Sequence, residues 1–182
     1  NRLLVLDVSN VPFDESLREI LLNCIGRSFL QRLQGGKSYK DHPVVLFIDE
    51  AHLLFRTQSI NDEFSNEFKL DAFERIAKET RKKGLFLCLA TQRPRDIPQG
   101  VLSQVGAFIA HRLINQQDRD AIESAAPEGT RHTFSFLPSL SRGEAIMVGV
   151  DFPMSAHIRI LSPSKEFQPI SETPKLFQVP LE

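Results

Sequence analysis

Short apolar runs alternate with amphipathic stretches along most of the chain. Residues 3–8, LLVLDV, form an apolar run closed by Ser9-Asn10. Pro12 and Asp14 then open a segment in which Leu17, Ile20, Leu21, Cys24, Ile25, Ser28, Phe29 and Leu33 keep helical spacing, which predicts β followed by α. The loop QGGKSYKDHP leads to an apolar strand at 44–48. After a polar stretch, Phe68, Ala72, Phe73, Ile76, Ala77 and Thr80 mark a second amphipathic helix that stops before Gly84. Residues 85–91 read as a third strand, 96–105 as a short helix that Asp96 could cap, 107–113 as a fourth strand and about 115–126 as a further helix. Near-continuous apolar strands joined by helices predict an α/β fold with a mostly parallel sheet covered on both faces. Beyond Pro127 the rhythm changes. Residues 132–142 read as irregular, AIMVGV and AHIRIL as a closing pair of strands, and 162–182 as an extended tail punctuated by Pro163, Pro169, Pro174 and Pro180.

Composition narrows the class. With 182 residues, 41% hydrophobic, and a net charge of −1, the chain suits one globular domain and does not read as disordered or strongly basic. Cys24 and Cys88 lie inside apolar segments, which predicts buried reduced thiols and a cytoplasmic compartment. No apolar run approaches the roughly 20 residues that span a bilayer, so no membrane partner is expected. The five histidines and two cysteines show no metal-ligand spacing, so a zinc site is not expected.

Candidate chemistry begins at VVLFIDEAHLLF, residues 44–55. An apolar strand ending in two adjacent carboxylates places Asp49 at the carboxyl tip of a strand, where open α/β sheets bind ligands, and Glu50 one step further into the cleft. In nucleoside triphosphatases such an Asp holds magnesium through water and such a Glu activates the attacking water; this is the Walker B pattern. The alternative is that the pair simply caps the following turn. The next strand, LFLCLATQRP, ends in Thr91, Gln92 and Arg93; a Gln at that tip can hydrogen-bond an attacking water or a γ-phosphate.

The set LLVLDVSN, VVLFIDEAH, FERIAKETRKKGLFLCLATQRP and VLSQVGAFIAHRLINQQDRDAI resembles the HerA/FtsK group of hexameric DNA-pumping ATPases, and HerA-type proteins most, over roughly residues 1–160. The resemblance implies a RecA-like core of the P-loop NTPase (ASCE) type over residues 1–161, and ATP hydrolysis with Mg2+ coupled to movement along duplex DNA. It also implies a homo-hexameric ring and a nuclease or other effector as partner. It makes Asp49 the magnesium-side carboxylate, Glu50 the general base and Gln92 the γ-phosphate sensor. Arg81 matches an arginine near the nucleotide, acting in cis or across a subunit boundary, and Arg93 and Arg112 are further nucleotide or interface contacts. The tail carries no motif of the family, but such rings have a carboxyl-terminal extension that lies over the core and reaches a neighbouring subunit, and Phe167, Leu176, Phe177 and Val179 could dock in that manner; a disordered tail is the alternative.

One departure stands out. A P-loop, GxxxxGK[ST], uses backbone N–H groups and a lysine to hold phosphates. The only candidate here, QRLQGGKS, has Gln31 where the first glycine belongs, and it follows a helix and precedes a strand, the reverse of the required order. The expectation is therefore the carboxyl-terminal part of a longer ATPase, lacking its first strand and P-loop and inactive alone. The letters DEAH at 49–52 also suggest a DEAH-type helicase, but no second arginine-rich motif follows. A slightly acidic chain without a basic stripe leaves DNA contact to a few pore-loop residues, for which 56–66 is the candidate. A non-hydrolysing ring or scaffold module for an effector is the alternative function, disfavoured because a scaffold has no chemical use for Asp49, Glu50 and Gln92.

Overall fold

The computed structural model describes residues 3–8, 10–11, 17–55, 71–150, 152, 154–164 and 166. The candidate DNA-facing stretch 56–66 and the tail anchors Phe167, Leu176, Phe177 and Val179 lie outside the described residues. The first helix, α1 (Leu17–Gln34), leads to β1 (Val44–Ile48) and the single turn α2 (His52–Phe55). Helix α3 (Ala72–Glu79) runs through a 3-10 turn at Arg81–Lys83 into β2 (Leu85–Leu89). The short α4 (Gln99–Leu102), β3 (Ala107–Ala110) and α5 (Gln116–Ala125) follow. A 3-10 segment at Glu128–Ser139 then leads to β4 (Glu144–Gly149) and β5 (Ala156–Arg159).

The mixture of parallel and antiparallel strands with packed helices is an α/β fold. Parallel pairing is confined to β1 and β2, in register from Val44↔Leu85 to Ile48↔Leu89. The fourth predicted strand behaves differently: β3 pairs antiparallel with β4, which pairs antiparallel with β5. The run 3–8 forms no strand, and Leu4 is 92% exposed. A strand exists through a ladder of hydrogen bonds to a neighbouring strand, and this run pairs with no strand among the described residues. Nor is the parallel pair covered on both faces. Val44, Leu46, Ile48, Leu87 and Leu89 face the core, whereas Phe47 is 77% and Val45 49% exposed.

Two apolar clusters hold these layers. The first gathers Leu30 and Leu33 of α1, Phe55 of α2, Phe73 and Ile76 of α3, Leu85 of β2 and Val101 of α4. The second joins Ile122, Phe134, Leu137, Ile146 and Val148, with Phe108 meeting Phe134 edge to face at 6.4 Å. Removing a wholly buried side chain from either cluster, such as Ile76 or Phe134, costs on the order of 2–5 kcal/mol.

Helix α1 buries a face turned from the predicted one. Asn23, Gly26, Leu30 and Leu33 are buried, while Leu17, Ile20, Leu21 and Cys24 are exposed. The cause is a close crossing. A Cβ on Gly26 would stand 2.9 Å from the Cβ of Ala72, and the Ala72 N–H donates to Asn23 Oδ1 at 3.1 Å, so α1 caps the start of α3. Cys24 is therefore an exposed thiol. Cys88 is half-buried, and burial pushes its pKa up. Asp96 caps no helix, since Pro98 occupies that position of α4 and Asp96 instead pairs with Arg93 and Arg95. The helix expected at about 115–126 is present as α5, and it is capped: Asn115 Oδ1 accepts the Asp118 N–H at 3.3 Å.

Two side chains anchor the entry to β2. Buried Thr80 places its hydroxyl 2.8 Å from Ile76 O and 2.9 Å from Leu85 O, stitching the end of α3 to the strand. Gly84 has φ +80°, and a Cβ there would fall 2.5 Å from the Tyr39 carbonyl, so only glycine fits where the α1–β1 loop clamps the turn.

Candidate functional site at the strand tips

The ladder between β1 and β2 continues one step past the strands. Ala90 N–H donates to Ile48 O and Ala51 N–H donates to Ala90 O, both at 2.9 Å. Because Ile48 and Ala51 are tied to the same residue, Asp49 and Glu50 must arch out of the ladder. Glu50 completes that arch at φ +47°, the left-handed region. For a residue other than glycine this costs about 1–2 kcal/mol. The turn is fastened by Asp49 Oδ1, which accepts the Glu50 N–H at 2.9 Å, and by the Glu50 carbonyl, which accepts the Leu53 N–H at 2.9 Å.

The arch aims the Glu50 carboxylate across to the tip of β2. Its Oε1 accepts a hydrogen bond from Gln92 Nε2 at 2.7 Å. Its Oε2 is shielded from solvent and makes no hydrogen bond among the described residues, although His52 Nδ1 lies 3.3 Å away, near but out of line. Thr91 Oγ1 lies 3.2 Å from that same His52 Nδ1 and accepts the Arg93 N–H at 3.0 Å. Three predicted residues, Asp49, Glu50 and Gln92, thus share one edge. Two carboxylates and a carboxamide, with one shielded carboxylate oxygen unbonded, make a donor set that fits a metal-bound nucleotide and a reactive water.

The predicted arginines are placed differently. Arg93 follows Gln92 at the tip but turns to Asp96, with Nε 3.0 Å from Oδ2. Arg81 precedes β2, so the five residues of that strand, about 16 Å at the usual rise, separate it from the Glu50 end. A methyl group on Gly106, just before β3, would meet the Arg81 guanidinium at 3.9 Å. Arg112 is exposed just beyond β3 and makes no hydrogen bond or ion pair with the described residues. The GGKS stretch joins α1 to β1 at the amino ends of the pair, also opposite to Asp49.

Sequence reasoning passed over two contributors. His52 was given no role by the sequence, and its only signal was its place two positions after Glu50. Buried Asp118 accepts the Arg95 N–H at 3.3 Å and so ties the segment after Gln92 to α5; a carboxylate in the first turn of a helix gave no hint of that reach.

Polar strand tips side by side at the carboxyl ends of a parallel pair, with helices packed on its core face, make this the fold of a P-loop ATPase. A solved neighbour bears that out. The genome packaging NTPase B204 of Sulfolobus turreted icosahedral virus 2, determined with ATP-gammaS, superposes with a TM-score of 0.54, covering 74% of this chain and 62% of its own at 21% identity. Residues 29–176 match the family described as Helicase HerA-like C-terminal, and the chain belongs to that family. Among curated relatives, a probable helicase of Methanocaldococcus jannaschii, MJECL08, is 35% identical over 120 residues, 66% of this chain and 22% of its own length. The DNA double-strand break repair helicase HerA of Pyrococcus furiosus is 29% identical over 119 residues, 65% of this chain and 20% of its own. The chain thus spans about a fifth of the length of these relatives.

Proposed function

We propose that this chain supplies the metal-side and water-side half of an ATPase site in a HerA-like motor that moves along or unwinds duplex DNA. The observation that carries the reading is the Glu50 carboxylate, held by Gln92 through one oxygen and left unbonded at the other, at the joined tips of two parallel strands.

Magnesium-bound ATP would supply an electrophilic γ-phosphoryl group with its charge already partly neutralised. Exposed Asp49 holds the metal's water shell. Glu50 Oε2 accepts a proton from the attacking water. Gln92, which donates to Glu50 here, would turn to that water or to the γ-phosphate when nucleotide is bound, and so would couple the state of the nucleotide to the position of the base. No stretch of the 182 residues supplies the phosphate-cradling loop, so turnover belongs to the full-length protein. Arg81, at the far end of β2, suits a nucleotide bound by a neighbouring subunit better than its own, which fits a homo-hexameric ring. Arg93 and Arg112 suit nucleotide or interface contacts on the Glu50 side. DNA as the track accords with a relative named a DNA double-strand break repair helicase; a nuclease or other effector as partner and a cytoplasmic setting remain part of this proposal, carried from the family resemblance alone. No helix among the described residues is long and apolar enough to cross a membrane.

The test is Glu50→Gln in the full-length protein. Turnover should fall by about 10²–10⁴-fold, the usual contribution of a general base, while nucleotide affinity stays within about twofold. Steady-state hydrolysis and equilibrium binding of an ATP analogue read the two effects separately. Undiminished turnover sinks the assignment of Glu50.

A further inference from the structure

The residue between the two strand tips that the hydrolysis chemistry leaves unused is His52. Its side chain is only 12% exposed, and one atom, Nδ1, meets both tips: Thr91 Oγ1 at 3.2 Å and Glu50 Oε2 at 3.3 Å. An unprotonated Nδ1 would accept from the Thr91 hydroxyl along that same line and leave its negative lone pair beside a carboxylate oxygen 3.3 Å away, which is repulsive. A protonated one donates in line to Thr91 Oγ1 and presents the positive end of its N–H dipole to Oε2. Thr91 Oγ1 can accept that second hydrogen, since the Arg93 N–H occupies only one of its lone pairs.

From this geometry we infer that His52, as the Nδ1–H tautomer, is a positioning residue that fixes which oxygen of Glu50 serves as the base. The inference rests on the proposed role of Glu50. Gln92 holds Oε1; the imidazole, anchored on Thr91, holds Oε2 in place by attraction without a committed hydrogen bond, so a lone pair remains for a proton. It also braces a side chain whose backbone is strained at φ +47°. Without the imidazole, Oε2 is free to rotate away, and the carboxylate spends less time in the one orientation that Gln92 and His52 together impose.

In the full-length protein, His52→Ala should lower kcat for ATP hydrolysis about 10–100-fold, the range seen when a group orienting a reactive ligand is lost. KM and the affinity for an ATP analogue should stay within about twofold. The side-chain nitrogen of Asn overlies Nδ1 whereas that of Gln overlies Nε2, so His52→Asn should recover most of the rate and His52→Gln should not. Thr91→Val, which removes the anchor, should reproduce part of the loss. In the double variant with Glu50→Gln, removing His52 should cost nothing further, because its effect passes through that carboxylate. Full kcat in His52→Ala with a dead Glu50→Gln overturns the role of His52 alone. Equal loss in His52→Asn and His52→Ala, or additive losses in the double variant, does so too, since both mark a merely structural part. Turnover that survives in Glu50→Gln, or is absent in the wild type, overturns the reading of Glu50 and this inference with it.

Discussion

The parallel pair β1–β2 and the antiparallel sheet β3–β4–β5 end their strands in opposite ways. At the tip of the pair the backbone arches, a non-glycine residue adopts positive φ, and Glu50 Oε2 has no hydrogen bond among the described residues. At the end of the sheet where its central strand β4 begins, comparable groups are committed to one another. Glu144 accepts the Ser141 N–H at 2.7 Å through Oε2, which also faces His157 Nε2 at 3.6 Å, and the Glu144 carbonyl accepts from His111 Nδ1 at 2.9 Å. Both regions own carboxylates and histidines. Only the strained, incompletely satisfied one has a group left over for chemistry.

The comparison breaks most sharply where the parallel pair is assembled. Gly84→Ala forces a Cβ into the Tyr39 backbone at a positive φ, so it should cost about 3 kcal/mol or more in chemical denaturation. An exposed-site cost near zero would mean that the clamp yields. In the second region, Asn115→Ala removes the cap of α5 and should cost about 1 kcal/mol by the same measurement, with hydrolysis by the full-length protein unchanged. Glu50→Gly sharpens the contrast by reversing the sign. Relief of about 1–2 kcal/mol of left-handed strain exceeds the extra entropy of an unfolded glycine, leaving a gain of about 0.5–1 kcal/mol in stability while turnover is lost. A destabilised Glu50→Gly would show that the side-chain contacts outweigh the strain.

The smallest effect is a pH dependence in the antiparallel sheet. The Ser141 N–H, aided by His157 and Arg159, holds the Glu144 carboxyl below its usual range. A carboxylate lowered in the folded state contributes stability at pH values above its unfolded value, about 4.3, and loses it as pH falls through the folded value. Denaturation midpoints measured from pH 6 down to about 3 should therefore fall less steeply for Glu144→Gln than for the wild type. Identical slopes would remove Glu144 from the acid response.

Individual elements show how far the pattern of residues could be read. The β1 strand, its Asp49-Glu50 ending and the Gln92 tip were legible because the strand is continuously apolar, even at its exposed Val45 and Phe47, and its polar ending is abrupt. Helix α5 was legible within a residue or so of its bounds, although its cap by Asn115 was not read. The run 3–8 was misread because its apolarity resembles that of β1, yet it pairs with no strand among the described residues. The face of α1 was misread because Gly26 is buried not for its own hydrophobicity but because Ala72 crosses there. The antiparallel pairing of β3 was hidden as well, since an apolar tetrapeptide looks alike in either orientation.

What the chain determines alone is local: which runs are apolar, where they stop, and that two carboxylates stand at one stop and a carboxamide at another. Hydrophobic periodicity is a property of neighbours in sequence, so these survive without a fold. What tertiary structure decides is which of those groups meet. Gln92 reaches Glu50 across 42 positions, His52 reaches Thr91 across 39, and Asn23 reaches Ala72 across 49. Each contact exists only because β1 and β2 lie in one register and α1 crosses α3 at a residue without a side chain.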